Sequence, residues 1–292
     1  MRTLLLPMLL TGCLIIGGPR PGEVENPATW VTPPQAAGAA GAVVMIHGMN
    51  NTPESMAAFT GQLTRLGYAV LQVRLSGHDP ESGQRHGATR ARWLEEVGAG
   101  FEQAKARYPK GPIIGFGYSL GGALAVSWVD AGGECDALVL IAPGLRLRPV
   151  VQLIRPLAWL SGVGLTLPSL TPAKYRAFRF TSLDTYAAMF DTVDALDQLS
   201  RPEQVGGIPT LVLADPDDEL VDVQRTEAWI TGQGLSSWRY HELRSKSLHH
   251  VILDAESAGP SAWRDLQVQV TAFLAGTGSG AFRRGSGSRR DD

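Results

Sequence analysis

Short runs of consecutive apolar residues alternate along the chain with longer stretches in which apolar residues recur every three or four positions. The first pattern predicts strands buried on both faces, and the second predicts amphipathic helices. The predicted strands are AVVMIH (42–47), YAVLQVR (68–74), GPIIGFG (111–117), ALVLIAP (137–143), IPTLVLA (208–214) and SWRYHEL (237–243). The predicted helices span 53–67, 89–109, 119–133, 222–234 and 261–276. Strands that alternate with helices predict an α/β fold with a mostly parallel, doubly wound sheet.

One stretch of about sixty residues, 145–207, breaks this alternation. It contains no clear strand pattern, and Pro149 and Pro156 interrupt its first apolar segment. The segment LDTYAAMFDTVDALDQL (183–199) has helical spacing. Because long insertions at the edge of a sheet are usually functional, we predict a helical lid over 145–207, with ordinary surface helices as the alternative.

The chain begins with MRTLLLPMLLTGCLIIGG, in which Arg2 precedes an apolar run too short to span a bilayer comfortably. Leu10-Thr11-Gly12-Cys13 closes this run and resembles a bacterial lipobox. We therefore expect a lipoprotein signal peptide over 1–12 and an acylated Cys13. Acyl chains would anchor the protein on the extracytoplasmic side of a bacterial envelope membrane. An ordinary signal peptide or a short anchor is the alternative.

The remaining chain divides by composition into three parts. Residues 13–40 are rich in Pro, Gly and Ala, which is typical of a tether. Residues 41–276 carry the predicted strands and helices and form one domain. Residues 277–292 are low in complexity, which predicts a disordered tail.

Composition argues against a nucleic-acid partner, a disulfide-rich domain and a zinc site. Hydrophobic residues make up 44% of the chain and the net charge is −2, so a large core is expected and no nucleic-acid partner is indicated. Cys13 and Cys135 are the only cysteines, which leaves no disulfide framework and no zinc-ligand spacing. Cys135 precedes a predicted strand and is interpreted as a small buried hydrophobe.

The segment GYSLG places Ser119 between Gly117 and Gly121. The bare pattern is weak evidence in a chain with 34 glycines. Its position is more informative, because Ser119 follows a predicted strand and begins a predicted helix, as a nucleophile elbow requires. Side chains at 117 or 121 would clash in so tight a turn, and Gly122 gives further clearance. Ser119 is therefore a candidate nucleophile, which needs a base to accept its proton.

Candidates for that base and for its acidic partner occur in the two expected loops. His249 and His250 follow the last predicted strand. Four aspartates follow the preceding strand or lie close to its end: Asp215, Asp217, Asp218 and Asp222. The order Ser, Asp, His is the order found in α/β-hydrolases.

Five motifs appear in one order over residues 42–254, and together they resemble the α/β-hydrolase superfamily. They are His47-Gly48, Gly77-His78, Gly117-Tyr118-Ser119-Leu120-Gly121, Asp218-Glu219-Leu220-Val221 and His250-Val251-Ile252. Within that superfamily the sequence is most similar to the branch of carboxylesterases, monoacylglycerol lipases and so-called serine aminopeptidases. The shared order is specific for the fold and poorly specific for the substrate.

The resemblance implies roles for individual residues. The family acid is commonly followed three residues later by an aliphatic residue, which favours Asp218 over Asp217. A His-Val pair favours His250 as the base, although the glycine that often precedes this histidine is replaced here by His249. The backbone N–H groups of Met49 and Leu120 are the implied oxyanion donors.

Three further histidines have simpler interpretations. His47 is interpreted as a structural histidine that braces the oxyanion loop, and His78 and His86 as loop residues.

The leading hypothesis is a lipid-anchored serine hydrolase that cleaves small-molecule or lipid carboxylic esters without a metal or organic cofactor. A second hypothesis assigns the same triad to amides, thioesters or C–C bonds. A peptidase would usually need an acidic or aromatic site for a free amine, but Asp184, Asp191, Asp194 and Asp197 have the spacing of solvated helix faces. A third hypothesis is an inactive binding lipoprotein of the envelope.

Overall fold

The computed structural model describes residues 28–31 and 38–278 of the 292. The predicted signal peptide, Cys13, most of the predicted tether and residues 279–292 lie outside the described residues. The strands are β1 (Thr29–Val31), β2 (Gly41–Ile46), β3 (Tyr68–Val73), β4 (Ile113–Tyr118), β5 (Ala137–Ile141), β6 (Thr166–Pro168), β7 (Phe180–Ser182), β8 (Thr210–Ala214) and β9 (Trp238–Glu242). The α-helices are α1 (Ala57–Arg65), α2 (Arg90–Arg107), α3 (Leu120–Asp130), α4 (Pro149–Gln152), α5 (Arg155–Ala158), α6 (Leu183–Ala195), α7 (Pro202–Gly207), α8 (Val223–Gly232), α9 (Ala255–Ala258) and α10 (Pro260–Gly278).

Seven strands form the central sheet, in the order β1-β3-β2-β4-β5-β8-β9. All neighbouring pairs are parallel except β1 with β3. The predicted fold class is therefore confirmed. The predicted tether contains one feature that composition did not indicate, since Thr29–Val31 adds an antiparallel edge strand to β3.

The sheet is covered by helices on both faces, and every position of its inner strands β2, β3, β4, β5 and β8 is buried. In β2, Val44 and Ile46 pack in one cluster with Trp93 of α2 and Leu124 of α3. Val43 and Met45 point the other way, into a cluster with Phe59 of α1 and Leu266 of α10. Burial on both faces explains why these strands show no alternation of apolar and polar residues.

The strand order reverses at β2, whose neighbours are β3 and β4. In open α/β sheets, the crevice outside the carboxyl ends of the strands at such a reversal is the usual binding position. The loop after β2 begins at His47 and the loop after β4 contains Ser119, so two predicted functional segments meet at this point.

Residues 145–207, here called the cap, contain α4, α5, α6, α7 and a separate antiparallel pair, β6 with β7. The prediction of a stretch without strands was wrong for this pair. Each strand has only three residues, which is too short for a period of two to be visible. Pro149 and Pro156 do not interrupt a helix, because each lies in the first turn of a short one.

One side of the cap is part of the core and another side is exposed. Leu183, Tyr186 and Phe190 of α6 are buried in the same cluster as α3. By contrast, five large apolar side chains between α4 and β6 are exposed: Val150, Leu153, Leu157, Trp159 and Val163. Among the helices of the described ranges, none combines the length and apolar character needed to cross a membrane.

Candidate active site

Ser119 occupies a strained turn between β4 and α3. Its backbone has φ 50° and ψ −115°, a conformation that L-residues rarely adopt. A Cβ on Gly117 would lie 2.6 Å from backbone atoms of Gly121, and one on Gly121 would lie 2.1 Å from the carbonyl oxygen of Ile46. The steric reason predicted for the two glycines is therefore confirmed.

The structure brings Ser119, His250 and Asp218 into one hydrogen-bonded chain. The Ser119 Oγ lies 2.9 Å from His250 Nε2, and His250 Nδ1 lies 2.8 Å from Asp218 Oδ2. An ionised carboxylate only accepts hydrogen bonds, so Nδ1 carries the proton of a neutral imidazole and Nε2 is free to accept one from serine. This is the arrangement in which a serine, a base and an orienting acid can work together.

The four candidate aspartates have four different surroundings. The Asp218 side chain is fully buried, and its second oxygen accepts hydrogen bonds from the N–H groups of Leu220 and Val221, both at 2.8 Å. Asp217 is largely exposed near Arg244, and Asp222 caps α8 through the Arg225 N–H. Only Asp218 contacts His250.

The two neighbouring histidines, His249 and His250, have different hydrogen-bond partners. His249 Nδ1 lies 3.1 Å from Asp215 Oδ2 and 3.2 Å from Ser245 Oγ. Because the same nitrogen faces both groups, these three residues cannot relay a proton from serine to aspartate as the Ser119 chain can. The carboxylate of Asp215 instead holds the loop before His249, through the N–H and hydroxyl of Ser245.

The pKa of His250 is raised above its usual value. Burial by itself would lower this pKa, but the adjacent Asp218 carboxylate and the charge of Glu219 stabilise the imidazolium and outweigh burial. A base with a raised pKa holds the serine proton more firmly, which suits proton abstraction near neutral pH.

The predicted oxyanion donors lie in the two loops at the strand reversal. Among the described residues, the Met49 and Leu120 N–H groups do not take part in the backbone hydrogen bonds of the turns and loops. The loop containing Met49 packs directly on the nucleophile turn, since a Cβ on Gly48 would lie 2.8 Å from the Tyr118 ring. Backbone N–H groups without a protein acceptor are available to stabilise a developing oxyanion, the role that the resemblance implies for Met49 and Leu120.

His47 holds the loop after β2 in place. Its Nδ1 donates to the Gly48 carbonyl at 2.9 Å, and its Nε2 accepts from the Leu75 N–H at 3.1 Å. His78 lies in a loop, as interpreted, and it is fully buried there between His47 and Trp93. Burial lowers the pKa of His78 to about 4, so this pair of histidines stays neutral.

Three residues that sequence reasoning did not single out contact the site. The Glu219 carboxylate accepts from the backbone N–H groups of both His249 and His250, at 3.1 and 3.0 Å. The Tyr118 hydroxyl donates to the His250 carbonyl at 3.0 Å. Asn50, next to Met49, bonds to the cap. Tyr118 and Glu219 lie within the quoted motifs and Asn50 lies two residues after one, but the motifs did not indicate these contacts.

One cluster in the described part of the chain could in principle share a metal ion. The ligand atoms of Asp215, Asp217 and His249 lie within 4.8 Å of one another. The Asp215 carboxylate already accepts hydrogen bonds from Ser245 and lies against His249, so protein groups account for its position.

Comparison with known proteins identifies the family and the fold of the chain. Residues 37–256 match the family model of serine aminopeptidase, S33. A thermostable monoacylglycerol lipase from Bacillus sp. (strain H-257) is 25% identical over 219 residues, which cover 72% of this chain and 82% of the lipase.

Two solved structures share the fold. A monoacylglycerol lipase from Paleococcus ferrophilus superposes with a TM-score of 0.70 at 17% identity, covering 87% of this chain and 100% of the other. A structure from a study of two metagenome-derived lipolytic enzymes gives a TM-score of 0.69 at 21% identity, covering 85% and 98%. With its matched family model, strand order and elbow, the chain belongs to the serine aminopeptidase (S33) family of α/β-hydrolases.

Proposed function

We propose that this protein is a serine hydrolase that cleaves carboxylic esters through an acyl-enzyme. The observation that carries the proposal is the continuous hydrogen-bonded chain from Ser119 through His250 to the buried Asp218. Esters are favoured as substrates because relatives with the same fold are named as lipolytic enzymes and monoacylglycerol lipases.

In the proposed reaction, Ser119 Oγ attacks the ester carbonyl while His250 Nε2 takes the serine proton. The N–H groups of Met49 and Leu120 stabilise the oxyanion, and Asp218 stabilises the imidazolium. His250 then gives the proton to the leaving alcohol. A water molecule, deprotonated by His250, attacks the acyl-enzyme and releases the carboxylic acid and free Ser119.

An aminopeptidase activity is less well supported than an esterase activity, because most of the cap carboxylates that could bind a free amine have other partners. Three of its four candidate carboxylates already have partners: Asp194 pairs with Arg155, Asp197 lies near Arg146, and Asp184 accepts from the N–H groups of Gly87 and Gly162. Carboxylates committed to these partners are poorly suited to bind the free amine of a peptide substrate.

We further propose that the substrate is a lipid ester and that the protein works at a bacterial envelope membrane, held by acyl chains on Cys13. The lipobox-like sequence before Cys13 and the exposed apolar side chains of the cap support this location. Apolar surface beside a lipid interface is less costly than in water.

The test is hydrolysis by the purified protein and by Ser119→Ala. We expect Ser119→Ala to lose at least about a thousandfold in kcat on p-nitrophenyl esters while remaining folded by circular dichroism. Ser236→Ala, an exposed serine in the turn before β9, is the matched control and should keep full activity.

The substrate panel should contain p-nitrophenyl esters of increasing chain length, 1-monoacylglycerols, acyl thioesters and aminoacyl anilides. Full ester turnover by Ser119→Ala would reject the assigned nucleophile. Preferential turnover of the anilides or thioesters would reject an ester as the principal substrate.

A further inference from the structure

The loop that carries Met49 is bonded to one segment of the cap, residues 169–178, here called the strap. The Asn50 side chain makes three hydrogen bonds to it. Its Nδ2 donates to Ser169 Oγ at 2.6 Å and to the Phe178 carbonyl at 2.8 Å, and its Oδ1 accepts from the Phe178 N–H at 3.0 Å. The Asn50 carbonyl also accepts from the Ala177 N–H at 2.8 Å.

Asn50 is buried, with 2% of its surface exposed, and it follows Met49 directly. Its φ is 54°, in the left-handed region that asparagine tolerates better than most residues. The peptide groups on either side of this residue are therefore fixed by an unusual backbone conformation and by four bonds to the strap. The Met49 N–H belongs to the preceding Gly48–Met49 peptide group, whose carbonyl accepts from His47 Nδ1 at 2.9 Å and from the Asn51 N–H at 3.1 Å. A movement of the strap would therefore act on the Met49 N–H through the backbone of Asn50 and Asn51.

The strap also reaches the loop that follows His250. Asn51 Nδ2 donates to the Tyr175 carbonyl at 2.9 Å, and the Tyr175 hydroxyl donates to the carboxylate of Asp254 at 2.9 Å. Lys174 forms an ion pair with the same carboxylate at 2.7 Å. A single cap segment thus bridges the loop after β2 and the segment beyond the histidine.

We propose that Asn50 is a positioning residue through which the cap orients the Met49 N–H toward the oxyanion. This inference rests on the proposed function, since it requires that Ser119 forms a tetrahedral intermediate. It makes the cap a support of the oxyanion donor, because the strap bonds to Asn50 and Asn51, the two residues that follow Met49.

The expected energetic signature follows from what an oxyanion donor does. A misdirected N–H weakens binding of the transition state and leaves binding of the ground-state ester nearly unchanged, so kcat falls and KM stays constant. An alkyl trifluoromethyl ketone reports on the same donor. Its carbonyl carbon bonds to Ser119 Oγ, the serine proton passes to His250, and the resulting oxyanion occupies the donor position.

The experiment compares wild type with Asn50→Gly, which retains access to the left-handed backbone and loses the side-chain bonds. We expect kcat on p-nitrophenyl butyrate to fall at least about tenfold, KM to stay within about threefold, and the ketone to bind more weakly by the same factor as kcat. Ser169→Ala removes one of the three side-chain bonds from the cap side. We expect kcat and the affinity for the ketone each to fall by about threefold.

Asp184→Ala is the matched control, because Asp184 connects the cap to a different loop by accepting from Gly162 and Gly87. It should leave the affinity for the ketone within about twofold of wild type, so a general loosening of the cap is distinguished from the effect of Asn50.

Unchanged affinity of Asn50→Gly for the ketone would overturn the inference, as would a loss of kcat without a parallel loss of affinity. If Asn50→Gly does not fold, the same readings on Ser169→Ala decide the question. A wild-type protein that the ketone does not inhibit would overturn the proposed function itself.

Discussion

At the scale of single residues, the backbone of His250 is held on both sides by side chains outside the Ser119–His250–Asp218 chain. Glu219 accepts from its N–H, and Tyr118 donates to its carbonyl. Glu219 also accepts from the His249 N–H, so one carboxylate fixes two consecutive peptides. The imidazole therefore has a defined position before any substrate arrives, which reduces the reorganisation needed in the transition state.

The charge of Glu219 predicts a pH dependence. His250 must be neutral to accept a proton, so kcat/KM falls as the pH drops through the pKa of His250. Because that pKa is raised, we expect this acid limb of the pH profile to lie above the ordinary histidine value of about 6.5. Glu219→Gln removes a negative charge that stabilises the imidazolium. We expect the limb to move to lower pH by roughly half a unit, with a severalfold lower kcat, in a pH profile of ester hydrolysis.

Asp217→Asn is the control for that profile, because it removes the same charge from an exposed neighbouring carboxylate that does not contact His250. Its acid limb should coincide with that of wild type. Identical limbs for Glu219→Gln and wild type would contradict the role of Glu219.

At the scale of elements, the turn between β4 and α3 is determined by close approach of backbones. Gly121 faces the end of β2, and Gly122 faces Pro143 after β5. The first turn of α3 thus packs against the ends of β2 and β5, the two neighbours of β4 in the sheet. Ser119 is held at its positive φ by the close packing of these surrounding elements. That packing is possible because Gly121 and Gly122 carry no side chains.

Two Gly→Ala substitutions are expected to have opposite effects on stability, because one glycine is in close contact with backbone and the other is not. In Gly121→Ala the new Cβ would lie 2.1 Å from the Ile46 carbonyl oxygen, so we expect a loss of at least about 2 kcal/mol in the free energy of unfolding and loss of esterase activity. In Gly61→Ala the nearest atom is a flexible Arg65 nitrogen at 3.4 Å, and α1 should gain about 0.5–1 kcal/mol. Urea unfolding measures both, and equal stability of Gly121→Ala and wild type would refute the steric account.

At the scale of the whole molecule, the cap is connected to each loop of the candidate site. Arg148, before α4, donates to the carbonyl groups of Asp218 and Pro216. The strap contacts the loop of Met49 through Asn50 and the loop beyond His250 through Tyr175. The cap thus supports the acid, oxyanion and base loops simultaneously, while its exposed apolar side chains face outward.

The proposed anchor predicts the behaviour of the full chain in a bacterial host. Wild type should incorporate an alkyne-labelled fatty acid and fractionate with membranes, and Cys13→Ser should lose the label and the membrane association. Cys135→Ser should behave as wild type, because Cys135 lies in the domain and burial raises its pKa to about 12. Absence of label from the wild-type protein would reject acylation at Cys13.

The sequence by itself determined the sheet, the helices on both faces and the position of Ser119 at a strand-to-helix turn. Hydrophobic period and glycine spacing are local properties, and local sequence encodes them directly. The same reasoning missed β1, β6 and β7, because three-residue strands are formed by their partners and carry no period of their own.

Only the tertiary structure decided which aspartate lies against His250, which histidine lies against Ser119, and that His78 is buried. It also decided that Asn50 belongs to the cap as much as to the loop of Met49. These contacts join residues far apart in the chain. Ser119 and His250 are separated by 131 positions in the sequence, and Asn50 and Phe178 by 128. Among four aspartates and two histidines of equal chemistry, the family motifs favoured Asp218 and His250, but the contacts themselves depend on where the folded backbone places each side chain.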